Sequence, residues 1–209
     1  MSQLKLTADS GGGTVAIKGP ASTTGNAALD LTVPGTASAT LDTLGRSGNI
    51  LQVKNAIKTD TASITSNTFT DISGLSISIT PSSSSNKVLF RGYVSLGTEA
   101  NTIMAVKIFR DSTEIGKSTA DSTAANNSTA TAKSLNISST TGKQQMHQLH
   151  FEVLDSPNTT SATTYKVKFA ETHLHNYSGT TIYVNRPHTG MGSDQHGVIS
   201  SVTAMEVAA

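Results

Sequence analysis

The chain contains no cysteine and no tryptophan, and among its 209 residues only 4% are aromatic and 14% are charged. The missing thiols exclude disulfide staples, thiolate nucleophiles and Cys-based zinc sites. The 15 Lys and Arg nearly balance the 14 Asp and Glu, leaving a net charge of +1. Such a chain carries no field that would gather nucleic acid or an anionic membrane. No apolar run approaches the ~18–20 residues of a spanning helix, so membrane insertion is not expected. The opening MSQLKLTADSGGG lacks the apolar centre of a signal peptide.

What is abundant is hydroxyl: about 60 residues are Ser or Thr. These residues disfavour helix interiors, and Thr suits a pleated, half-buried surface. Hydrophobic residues make up 35%, below the ~45–50% apolar share of an ordinary domain. A poor internal core hints that chains bury surface against one another.

Residues 1–45 stand apart. Their apolar positions alternate as Leu4/Leu6, Val15/Ile17 and Leu29/Leu31/Val33, punctuated by Gly11 to Gly13, Gly19-Pro20 and Pro34-Gly35. Each run reads as a short strand between turns. Three such strands cannot close a core alone, so they form an appendage that needs a partner, joined near Gly45–Gly48 to a domain spanning 49–209. That domain predicts strands over 50–57, 62–65, 75–79, 87–96, 102–110, 113–117, 146–154, 164–172, 180–185 and 198–207. Turn formers separate them at Asp71–Gly74, Pro81–Asn86, Asp111-Ser112, Asp155–Pro157 and Ser178-Gly179. About ten short strands with this punctuation predict an all-β fold, an antiparallel β-sandwich of the jelly-roll kind. Ser118–Lys143 reads as a long surface loop, with one strand near Lys133–Ile137.

Two strands bear on assembly. In 87–96 the face Val88, Phe90, Gly92, Val94, Leu96 suits a core, yet Leu89 and Tyr93 lie on the other face. In 102–110, Met104, Val106 and Ile108 oppose Ile103, Ala105, Lys107 and Phe109. Apolar groups on both faces imply burial on both sides. In a two-layer sandwich the second face then meets another subunit.

The stretch FTDISGLSISITPSSSSNKVLF (Phe69–Phe90), followed by IFRDSTEIG (Ile108–Gly116), FEVLDSPNTTSATTYKVKF (Phe151–Phe169), IYVNR (Ile182–Arg186) and SSVTAMEV (Ser200–Val207), resembles a domain common among predicted structural proteins of tailed bacteriophages, especially marine ones. The strand order and the T-x-M-E-V ending are similar to trimeric jelly rolls of the tumour-necrosis-factor and complement-head type. The segment LKLTADSGGGTVAIKGP resembles the virion-proximal part of phage fibre proteins. The resemblance implies a homotrimer at the virion surface, in a tail fibre, head fibre or decoration, attached to capsid, tail or adaptor proteins through its N-terminus.

Motifs for catalysis are weak. Gly190-Met191-Gly192-Ser193-Asp194 lacks the closing Gly of a nucleophile elbow. Glu152, Asp155, Glu171 and Asp194 show no spacing signature for glycoside cleavage. The Gly11–Gly13 triplet precedes a strand, so it cradles no phosphate. No enzyme is expected. All six histidines fall within 147–196. His173 and His175 form an H-x-H pair whose rings share a strand face. A threefold axis would make them six nitrogens around one transition metal, as in phage fibre trimers. No other cofactor is expected. His150 falls on an outer strand face, and His147 shares the inner face as a satisfied edge or interface residue. Finally, Tyr183, Arg186, His188 and His196 sit in a Gly-rich polar loop of the kind that carries binding surfaces. They are the candidate contacts of a receptor-binding module for a host-surface glycan or protein, the alternative to a purely structural role.

Overall fold

The computed structural model describes residues 46–98, 102–120, 128–134, 146–172, 180–188 and 197–209. By its internal contacts the chain divides into two units, Met1–Leu41 and Asp42–Ala209. Every described residue belongs to the second. The expected strands of 1–45 therefore lie outside the described residues.

Eleven strands follow one another: β1 (Ile50–Lys58), β2 (Ala62–Ile64), β3 (Thr70–Ile79), β4 (Lys87–Thr98), β5 (Thr102–Arg110), β6 (Thr113–Ile115), β7 (Ala130–Ser134), β8 (Met146–Asp155), β9 (Thr163–Thr172), β10 (Ile182–Val184) and β11 (Ser200–Val207). Sheet A runs β1-β11-β4-β10-β2, with β8 on the other side of β4. Sheet B runs β3-β9-β5-β6, with β7 also on β5. All pairings are antiparallel. The chain passes repeatedly from one sheet to the other, and the two sheets pack as a jelly-roll sandwich.

The period-2 pattern of the sequence explains the layering. In β11 the residues Ser200, Val202, Ala204 and Glu206 are buried while Ser201, Thr203, Met205 and Val207 are not. In β9, Thr163, Tyr165, Val167 and Phe169 face inward. Between the sheets, Phe90 stacks on Phe151 at 5.7 Å and on Tyr165 at 5.5 Å. Ile72, Leu75, Ile79, Met104, Ile108 and Ile182 fill the space around them. Burying each such side chain stabilises the fold by about 1.5–3 kcal/mol.

Polar clamps close the seams. Tyr165 on β9 donates its hydroxyl to Asp155 Oδ2 at the end of β8 (2.6 Å), and Arg110 on β5 holds both Asp155 oxygens at 2.8 Å. Burial and the bond to Asp155 push the Tyr165 phenol far above its usual range. A second clamp centres on Glu206, nearly fully buried on β11. Its carboxylate accepts bonds from Gln52 (2.6 Å), from Asn86 (2.6 Å) and from the Ser82 N–H and hydroxyl (2.6 and 2.7 Å). Burial alone would raise its pKa from 4.5, but those donors outweigh burial and hold it at about 2.

Several expectations change. Asp71–Gly74 is not a turn between strands. It lies inside β3, where the register with β9 shifts between Asp71 and Ser76, and Gly74 adopts φ +85°. A bulge and a turn need the same Gly-containing chemistry, so the residues could not tell them apart. The strand expected near Lys133–Ile137 runs instead over Ala130–Ser134, inside the stretch read as a loop, and it gains its place by pairing with β5. The turn at Asp111 is present, with φ 52°. Asp155, read as a turn residue, ends β8 and anchors the first clamp.

The second face of β5 is covered by this same chain. Ala105 and Lys107 are buried, with Lys107 Nζ 4.6 Å over the Phe69 ring and 3.2 Å from Glu114, and Lys168 Nζ sits 4.7 Å over Phe109. Lysine stems supply the apolar cover, so β5 requires no neighbouring subunit.

Candidate functional site

Tyr183 lies on β10, paired with Gly97 of β4 and Ser63 of β2. The chain leaves β10 through Asn185, a buried residue at φ 64°. Its side-chain amide donates to the carbonyls of Lys58 and Asp60 at 2.9 Å, and its oxygen accepts from the Ser200 hydroxyl at 2.6 Å. The Val198 N–H bonds back to the Asn185 carbonyl at 3.1 Å. These bonds pin both ends of the 186–197 excursion to the body of sheet A. Asn185 is thus a fastening and not a contact residue.

From that fastening, Arg186 folds back over Tyr183, its guanidinium 3.9 Å from the ring centroid. Arg186 also donates to the carbonyls of Pro187 and His188, at 3.2 and 3.3 Å. The His188 ring lies 5.5 Å from that of Tyr183, with Nδ1 3.3 Å from the hydroxyl. Gly97 makes this packing possible, because a Cβ there would meet the Arg186 carbonyl and Pro187 Cα. The structure therefore brings together Tyr183, Arg186 and His188, all half-buried. The fourth candidate, His196, lies outside the described residues. The guanidinium on the Tyr183 ring occupies one aromatic face.

A larger feature lies on the same side of sheet A. The register aligns three rows across β1, β11, β4 and β8: Val53, Met205, Leu89 and Leu154; then Asn55, Thr203, Arg91 and Glu152; then Ile57, Ser201, Tyr93 and His150. All of these point away from the core. Ile50, Val53, Ile57 and Leu154 are each more than half exposed, and Ile199 is 43% exposed. Four of the five exposed large hydrophobics among the described residues, Ile50, Val53, Ile57 and Leu154, thus lie on strands of sheet A and on its outer side, and Ile199 just precedes β11. Arg91 and Glu152 approach to 3.6 Å with both side chains over half exposed, and neither makes a hydrogen bond among the described residues. Tyr93 and His150 tilt together at 5.7 Å.

In the middle of this face is a depression of about 460 Å³, lined by Arg91, Gly92, Tyr93, His150, Phe151, Glu152, Ser201 and Thr203. Gly92 sets its floor. A Cβ there would strike the Ser201 carbonyl and Val202, so only glycine lets β11 approach β4 this closely. Sequence reasoning placed Leu89 and Tyr93 of β4 and His150 of β8 on outer faces, but it did not pair them with one another or with the rows on β1 and β11. Pairing between strands about 60 to 150 residues apart leaves no local signal.

The other titratable candidates are engaged elsewhere. Glu152 faces Arg91, Asp155 is held in its clamp, and Glu171 is buried on the inner side of β9. Asp194 lies outside the described residues. His147 is half-buried, and its Nε2 is buried without a hydrogen-bond partner among the described residues, so it is not satisfied within this chain's edge strands, and the interface alternative stays open. His173 and His175 also lie outside the described residues, so the proposed metal site does too. Among the described residues no group of three or more His, Asp or Glu could hold a metal ion.

No family model and no curated protein matches the chain. Among solved structures it is similar to infectious bursal disease virus, Gt strain, at 12% identity and a TM-score of 0.37, over 85% of this chain and 46% of that one. T=1 particles derived from infectious bursal virus match at the same identity and TM-score, over 86% of this chain and 40% of that one. The chain therefore spans less than half the length of these structures' chains.

Proposed function

We propose that this protein is a structural component of a virion, of the tailed-bacteriophage kind that its motif series resembles. It assembles as a homotrimer. Residues 1–45 attach it to a capsid, tail or adaptor protein, and the jelly roll of 49–209 projects from the virion surface as a fibre, spike or decoration. The observation that carries this reading is the gathering of Ile50, Val53, Ile57 and Leu154, four of the five exposed large hydrophobics among the described residues, on one side of sheet A. Proteins that act alone rarely leave such a contiguous apolar patch in water. The test is light scattering on the purified full chain, with three chain masses expected. A folded monomer stable at micromolar concentration would overturn the trimer. Imaging the particle at high resolution then tests the placement, and an absence of this chain from the virion would overturn it.

A receptor-binding role is the second reading, favoured by the convergence of Tyr183, Arg186 and His188 beside a polar loop. Tyr and Arg are the residues that most often anchor recognition surfaces. Replacing Arg186, His188 and His196 together by Ala should lower adsorption to host cells while leaving the oligomer intact. Unchanged adsorption would leave the structural role alone standing.

A further inference from the structure

We propose that the outer face of sheet A is where copies of this chain meet, and that across each contact Arg91 of one copy pairs with Glu152 of the next. This rests on the oligomeric reading above and specifies the surface that makes it. Four strands about 4.8 Å apart and some ten residues of ~3.3 Å rise give a face of roughly 600 Å² in plane. A stable interface buries about 800 Å² of accessible surface per partner; in a ring each copy meets two neighbours, and this side-chain-studded face supplies a total of that order shared between them. No layer of sheet B covers this face.

Its arrangement suits a copy of itself. The row Val53, Met205, Leu89 and Leu154 offers an apolar strip, with Ile50 beside it and Ile57 two rows along. Next to that strip stand one cation and one anion, Arg91 and Glu152, on adjacent strands. At 3.6 Å and over half exposed, the two satisfy each other poorly within one chain. Arg has five donors in a planar fork and a carboxylate about four acceptor sites, so both keep capacity for a second partner. A rotation that carries one copy onto the next can set Arg91 against the neighbour's Glu152. The same placement would bury the Tyr93–His150 pair at the centre, over the depression floored by Gly92. Charged pairs at such positions fix register and exclude wrong partners more than they add affinity.

The experiment uses three full-length variants: Arg91→Glu, Glu152→Arg, and the double swap of both. Circular dichroism confirms that each folds, which is expected because both side chains are exposed. Each single variant should associate at least 30-fold more weakly than the wild type by light scattering across a dilution series. The double swap should return to within about fivefold of the wild type. The two single variants, carrying different affinity tags and mixed, should recover assemblies that contain both chains, because in a three-membered ring two of the three contacts then join opposite charges. Wild-type association in either single variant would overturn the proposal, as would a mixture no better than its components. A wild-type chain that is itself monomeric would overturn the oligomeric reading instead, so the two failures are distinguishable.

Discussion

The two outer faces of the sandwich solve the same problem in opposite ways. On sheet B, apolar groups that point away from the core are roofed by charged side chains of the same chain. Lys107 lies over Phe69, Lys168 lies over Phe109, and Asp71 draws in Lys166 and Lys168 at 3.0 and 3.4 Å. On sheet A the corresponding positions carry Ile50, Val53, Ile57 and Leu154 with no such roof among the described residues. A long Lys stem can cover an aromatic ring while its ammonium stays wet. Short β-branched and Leu side chains cannot cover one another across such a face. The contrast teaches that two-faced strands do not by themselves demand a partner. What matters is whether the chain's own flexible cations lie within reach.

The sharpest way to break this contrast is to charge both faces alike. Val53→Asp with Leu154→Asp should weaken association by at least ~100-fold, since an unpaired carboxylate is then buried in each contact. Light scattering should show the assembly replaced by folded monomer. Lys166→Asp on sheet B should leave the mass unchanged; a matching loss there would mean that the wrong face has been assigned to assembly.

Stability should respond most strongly where the faces are tied together. Asp155→Ala strands the Arg110 guanidinium and the Tyr165 hydroxyl, and should lower unfolding free energy by about 3 kcal/mol. Denaturant melts check this, and a loss below half that size would show that water replaces the clamp.

Acid should act on sheet A through Glu206. Its pKa is depressed from 4.5 unfolded to about 2 folded, so the stability it confers is complete above pH 4.5 and is lost as pH falls through about 2. The linked free energy is about 3 kcal/mol. Glu206→Gln should flatten that part of the stability–pH curve, measured by urea melts between pH 2 and pH 6.

The smallest effect belongs to sheet B's exposed ion cluster. Asp71→Asn should cost no more than about 1 kcal/mol, and less at high salt, because the carboxylate is half exposed and its lysines keep their solvent.

Much of the candidate site was legible in part only. Tyr183, Arg186 and His188 stand within six residues of one another, so their composition marked them. Their convergence also needed Gly97, nearly 90 positions earlier, to let the Arg186–Pro187 backbone pass. Asn185 closes the strand expected over 180–185, and its burial came from Lys58, Asp60 and Ser200, none of them adjacent to it in sequence.

By itself the sequence determined the fold class and the inward face of most strands, because side-chain alternation is a local, period-2 property. It also determined the turns at Asp111 and Pro81–Asn86, where the residue chemistry is specific. Only the tertiary structure decided that Asp71–Gly74 is a bulge, that Asp155 and Glu206 are clamps, and that β5's outer face is roofed while sheet A's is bare. Those outcomes depend on which strands lie side by side. Strand pairing across 150 residues is set by the summed packing of the whole core, and no short window of sequence records it.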